Sequence, residues 1–159
     1  MHSMNIYETA HYFHVMNRGA NTKGIFLTQG QARLFLALAL QFSRRYHVWI
    51  VAYCLMHNHF HFVIYANRRS KVRFMQSLQG TYAQAFNAKL KRSGPLFQGR
   101  YTWRFIETER YLKKVVDYVH ENPKSCGYEQ NLEKYPWSSL GNKNFPGLTA
   151  KANRSPLQS

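Results

Sequence analysis

YCLMHNHFHFVIY, residues 53–65, is an apolar run in which His59 and His61 flank a single Phe60. On a β-strand successive side chains alternate faces, so His59 and His61 share one face while Phe60, Phe62 and Ile64 share the other. The phenylalanines can then cover a core while both imidazoles leave the sheet together. Two neutral imidazoles converging from one strand make half of a metal site, with the strand's buried face fixing their direction. A His-x-His pair also occurs as surface decoration or as a core hydrogen bond. What favours the ligand pair is a second motif downstream, VDYVHENP at residues 116–123.

Outward from this run, Val48 to Leu55 reads as a second strand and His59 to Tyr65 as a third. With only Met56, His57 and Asn58 between them, the pair is a hairpin. Upstream, HYFHVMN (residues 11–17) reads as a first strand, with Tyr12, His14 and Met16 opposite Phe13 and Val15. After the polar loop RGANTKG, Thr28 can cap a helix from about Gln29 to Tyr46, with Leu34, Leu38 and Phe42 at helical spacing. A second helix is predicted from about Lys71 to Lys91, striped by Phe74, Leu78, Tyr82, Ala85 and Phe86. The Gly/Pro-broken stretch SGPLFQGRY follows, then TWRFIE (residues 102–107) as a fourth strand. Thr108 can cap a third helix that runs to Asn122 and is stopped by Pro123. YPWSSL, from Tyr135, suggests a short packed turn or helix.

The order β-α-β-β-α-β predicts an α+β, ferredoxin-like split βαβ fold: one antiparallel sheet with two helices on one face. The other face, where His59 and His61 point, is left for the third helix. On that helix Tyr111, Val115, Tyr118 and Asn122 fall on one stripe, and Leu112, Val116 and Val119 on an adjacent packing stripe. Laid across the open face, it lets Asn122 offer its side-chain oxygen to a metal held by His59 and His61, with Tyr118 one turn away.

The chain has 159 residues, enough for one domain with a sizeable core at 45% apolar content. The expected organisation is a single catalytic domain over residues 1–147 and a disordered tail over 148–159. Lys and Arg number 22 against 7 acidic residues, a net charge of +15 spread along the chain. With 11 Tyr, 11 Phe and 3 Trp interleaved among those cations, the composition favours nucleic acid over a membrane surface as partner. Cys54 and Cys126 are too few for a disulfide scaffold, which fits a cytoplasmic location. The longest apolar stretch, Leu34 to Leu40, is far short of a membrane span.

Taken together, Cys54-Leu55-Met56 before His59-Phe60-His61, the later SGPLFQGRY, VDYVHENP and YPWSS resemble the bacterial single-tyrosine HUH transposases, both the insertion-sequence type and the REP-associated tyrosine transposases. The likeness spans about residues 11 to 140 with the motifs in family order. It implies that His59, His61 and Asn122 are metal ligands and Tyr118 the catalytic nucleophile, with Mg²⁺ or Mn²⁺ as the divalent cofactor. It further implies cleavage and rejoining of single-stranded, hairpin-bearing DNA through a 5′-phosphotyrosine, without ATP. The DNA contacts expected on this basis are Arg18, Lys89, Arg92, Gln98, Arg100, Tyr101 and Arg104. One departure is His57, where the family usually has proline, which is expected to leave a third imidazole near the site. The resemblance leaves monomer and homodimer both open.

Competing readings are a catalytically inactive hairpin DNA- or RNA-binding protein on the same fold, an HNH-type nuclease built on His57-Asn58-His59, and a structural zinc site. Contiguous HNH residues do not match the spread ββα-metal arrangement, and the lack of nearby cysteines disfavours closed tetrahedral zinc.

Overall fold

Residues 9–145 are described by a computed structural model. Its elements are β1 (His11–Arg18), α1 (Gln29–Arg45), β2 (Trp49–Leu55), β3 (His59–Ala66), α2 (Arg68–Leu90), β4 (Thr102–Ile106) and α3 (Glu109–Ser125), with short 3-10 turns at Ala20–Thr22 and Leu132–Lys134. The lead-in before His11 and the tail expected from Leu148 lie largely or wholly outside the described residues.

The four strands form one antiparallel sheet in the order β2-β3-β1-β4, the split βαβ arrangement that the element order predicts. β1 and β3, the two central strands, pair with His11 opposite Ala66 and Arg18 opposite His59. Strand alternation sends Phe13, Val15, Phe60, Phe62 and Ile64 to the face covered by α1 and α2, where they join Phe35, Phe74, Leu78 and Tyr82 in the main core. A smaller core on the opposite face collects Tyr12, Cys54, Met56, Val63 and Ile106 beneath Val115 and Val119 of α3. The register of β2 against β3 shifts between Ile50 and Ala52. That irregularity lets Ile50, Tyr53 and Leu55 all reach the main core while Ala52 and Cys54 serve the other.

Both cores depend on how the helices start and stop. Thr28 and Gln31 close a capping box at the head of α1. α1 buries Phe35, Leu38, Ala39 and Phe42, but Leu34, expected on the buried stripe, is 38% exposed. Repeated i+4 steps precess about 40° around a helix each time, so a stripe drawn through Leu34, Leu38 and Phe42 begins at the rim of the buried face. α2 begins three residues before the expected Lys71, because Asn67 caps it by accepting the Ser70 amide at 2.7 Å. α3 is capped by Thr108, and it does not stop at Pro123 but continues to Ser125. Proline there lacks the amide that would reach Val119, one bond lost in the final turn, and the Cys126 amide still bonds Asn122 O at 2.9 Å. Asn122 thus keeps its helical register with Tyr118.

YPWSSL forms the short packed turn that the sequence suggests, not a helix. It runs antiparallel along the outer edge of β2, with the Leu55 amide on Trp137 O at 2.8 Å, the Ser139 amide on Tyr53 O at 3.0 Å and a bridge between Cys54 and Ser138. The Tyr135 hydroxyl closes this strap onto Leu55 O at 2.5 Å. His120 Nε2 meets Ser139 Oγ at 2.6 Å, which pins α3 to it.

Candidate active site

α3 lies across the sheet face opposite α1 and α2, and within this one chain it brings Tyr118 and Asn122 to His59 and His61. The His61 and Tyr118 ring centroids are 5.7 Å apart with perpendicular planes, and Asn122 Oδ1 stands 3.4 Å from His59 Nε2. Tyr118 is 55% exposed although it sits over a buried imidazole, a combination that a purely packing tyrosine does not need. Tyr111, on the same helical stripe, lines the adjacent cleft together with Tyr118.

The local hydrogen bonds fix which atoms can donate. Asn58 Nδ2 donates to Thr22 O at 3.3 Å, so its Oδ1, 2.8 Å from His59 Nδ1, must accept the hydrogen of that ring nitrogen. Burial pushes the His59 pKa down, against an opposing pull from the Asn122 oxygen, so the neutral ring presents a bare Nε2. Asn122 Nδ2 donates to Tyr118 O at 3.1 Å, which turns its Oδ1 towards that same nitrogen. With the His59 hydrogen on Nδ1, Nε2 and the Asn122 oxygen face each other as two acceptors 3.4 Å apart. His61 is held neutral more strongly: burial first, then its two neighbouring histidines, lower its pKa to about 3. Among the described residues no three His, Cys, Asp or Glu side chains gather in ligating geometry, so a cation here would need the Asn122 carboxamide besides the imidazoles. The donor set of two neutral imidazoles and one amide oxygen fits a divalent ion.

The third imidazole at this site is His14, not His57. His14 Nε2 lies 2.9 Å from His61 Nδ1, and its ring also meets Tyr118 edge to face at 6.1 Å. His57 turns instead towards α1: its carbonyl accepts the Ile25 and Phe26 amides, and its ring covers Gly24 so closely that a Cβ there would come within 2.5 Å of Nε2. The phase of β1 puts His14 on the site face, but only the β1–β3 register, which the sequence does not spell out, brings it to His61.

Of the residues expected to touch DNA, Arg104 lines a cleft of about 350 Å³ beside Tyr118, together with His14, Thr102, Tyr111 and Lys114. Lys114 carries no motif that would have singled it out among the lysines. Arg18 ends β1 opposite His59, and the Gln98 amide bonds its carbonyl at 2.9 Å. Arg100 is exposed in the turn before β4. Lys89, Arg92 and Tyr101 belong to the other side of the sheet: Lys89 is in the last turn of α2, Arg92 lies over Phe86, and Tyr101 packs on the main core below Lys71.

Comparison with known proteins bears on both fold and family. The chain matches the structure of a REP-associated tyrosine transposase bound to a REP hairpin with a TM-score of 0.65 and 16% identity, over 93% of this chain and 86% of that one. It also matches a crystal structure of a candidate transposase from Deinococcus radiodurans R1 with a TM-score of 0.52 and 15% identity, over 76% of this chain and 97% of that one. At such identities the likeness is one of fold. No similar sequence is found among curated proteins. The family model described as "Transposase IS200 like" matches residues 7–122, from the approach to β1 through Asn122 of α3. Because that match takes in every strand and the helix bearing Tyr118, the chain belongs to the IS200-like transposase family.

Proposed function

We propose that this transposase cleaves and rejoins single-stranded DNA at hairpin-bearing ends, with Tyr118 as the nucleophile and His59, His61 and Asn122 as ligands of a divalent ion, Mg²⁺ or Mn²⁺. The observation that carries the reading is the meeting of these four side chains from β3 and α3 in one chain. It follows that Tyr118 can act in cis, on the site of its own subunit. When bound, the ion supplies a positive charge that polarises the scissile phosphate.

Everything else falls to the chain's own residues. The Tyr118 oxygen bonds to phosphorus as the bond from phosphorus to the upstream O3′ breaks. The phenolic proton passes to solvent, and the departing O3′ takes up one proton from solvent to leave as a free hydroxyl. The downstream strand stays on Tyr118 through its 5′-phosphate, and a 3′-OH of another strand can reverse the step without ATP. Openness of the site at Tyr118 leaves room for that exchange of strands. Arg104 and Lys114, in the cleft beside Tyr118, are suited to the phosphates next to the reacting one, and Arg18 to those passing His59. The hairpin in the structurally similar REP-associated enzyme supports a hairpin as the DNA feature engaged here.

The test is incubation with short hairpin-bearing oligonucleotides and Mn²⁺, scored for a covalent protein–DNA product. Tyr118→Phe is expected to bind the oligonucleotide as well as the wild type and to form no adduct. An adduct that survives would move the nucleophile to Tyr111. Hairpin binding by the wild type without any adduct would favour an inactive binding protein on the same fold.

A further inference from the structure

We propose that His14 is a positioning residue that sets the tautomer of His61, accepting its Nδ1 hydrogen so that His61 Nε2 is left bare for the cation; this rests on the metal reading above. His14 enters from β1, the neighbouring central strand, two residues along from Met16, the partner of His61. The two rings are tilted by only 23°, with centroids 5.1 Å apart and nitrogens 2.9 Å apart. That combination describes imidazoles meeting edge to edge in nearly one plane, as an N–H···N bond requires.

Two neutral imidazoles joined in this way share one hydrogen, so two arrangements exist. If His14 Nε2 carries it, His61 Nδ1 accepts, and a neutral His61 must then carry its own hydrogen on Nε2, where it blocks a cation. If His61 Nδ1 carries it, Nε2 is a lone pair, as His59 Nε2 is by virtue of Asn58. His59 and His61 thus have matching supports, a carboxamide oxygen for one and a ring nitrogen for the other. His61 is 2% exposed, so no bulk water competes for Nδ1. Around His14 itself stand Arg104, its cross-strand partner on β4, and Tyr118 on α3. The Arg104 guanidinium accepts no hydrogen bond, and Tyr118 meets both imidazoles through its ring.

The experiment measures Mn²⁺ affinity by the loss of the free-ion electron paramagnetic resonance signal, and folding by circular dichroism. His14→Leu should weaken Mn²⁺ binding by roughly 10–100-fold, the usual effect of losing such a support. His14→Gln, whose side-chain oxygen can accept the same hydrogen, should recover most of it. A second measurement needs no variant: in ¹⁵N-histidine-labelled protein loaded with diamagnetic Mg²⁺, His14 should be protonated at Nδ1 and bare at Nε2. Wild-type-like Mn²⁺ binding by folded His14→Leu, or a protonated His14 Nε2 in the loaded protein, overturns the role given to His14 alone. Failure of the wild-type protein to bind Mn²⁺ overturns the metal reading beneath it.

Discussion

Asn122 has two tasks in one side chain. Its amide nitrogen is tied to the carbonyl of Tyr118, and its oxygen is thereby aimed at His59. Removing it with Asn122→Ala should weaken Mn²⁺ binding by at least the ~10-fold that loss of a mere supporting partner costs, with adduct formation falling in parallel. Asn122→Asp keeps an oxygen ligand and adds a charge, so calorimetric titration should find its Mn²⁺ binding retained or tightened. Tyr111→Phe, on the same stripe two turns before Tyr118, the tyrosine that meets the imidazoles, should leave the adduct intact. At this scale the sequence showed what strand and helix periods reveal: His59 with His61, and Tyr118 with Asn122. His14 escaped because contact between strands depends on register, and His57 misled because nearness in sequence is not nearness in a hairpin turn that faces α1.

A single helix delivers both Tyr118 and Asn122 to the imidazoles, so the seating of α3 governs the site. Val119 is fully buried against the sheet and Val115 is 6% exposed. Val119→Ala removes two methyl groups and should cost about 2 kcal/mol in a urea titration. Because the loosened face lies one residue from Tyr118, adduct formation should slow even where the protein remains folded. Helix caps at Thr28 and Thr108 were readable because a hydroxyl before an amphipathic run has one obvious use. Leu34 and Pro123 depart from expectation for opposite reasons. Leu34 has helical spacing but lies off the centre of the buried face, and Pro123 sits in a last turn that can spare the bond proline removes. The 135–139 strap gave no periodic signal, since its pairing is with an edge distant in sequence.

Charge and titration act on the molecule as a whole. With a net charge of +15, binding to a single strand through about six to ten phosphates should weaken by roughly 10²–10⁴ between 50 and 200 mM salt. A flat response in a filter-binding titration would remove the electrostatic part of the reading. His14, His59, His61 and His120 all have pKa values lowered by burial. Below the ordinary value of 6.5 the unfolded chain takes up protons that the folded protein refuses, so stability present above pH 6.5 is lost as pH falls towards the His61 value of about 3. Urea midpoints measured with a chelator should therefore fall from pH 7.5 to pH 5. The overall architecture was legible because the strand and helix order admits few connections.

The strap has a further effect on growth of the sheet. A bare strand flank is a template on which another polypeptide can build, and the backbone groups of Tyr53 and Leu55 on that flank are already engaged from within. Another strand therefore cannot pair with β2 at its Tyr53–Leu55 end without displacing the strap. β4 forms the opposite edge of the sheet, beside the cleft that Arg104 lines.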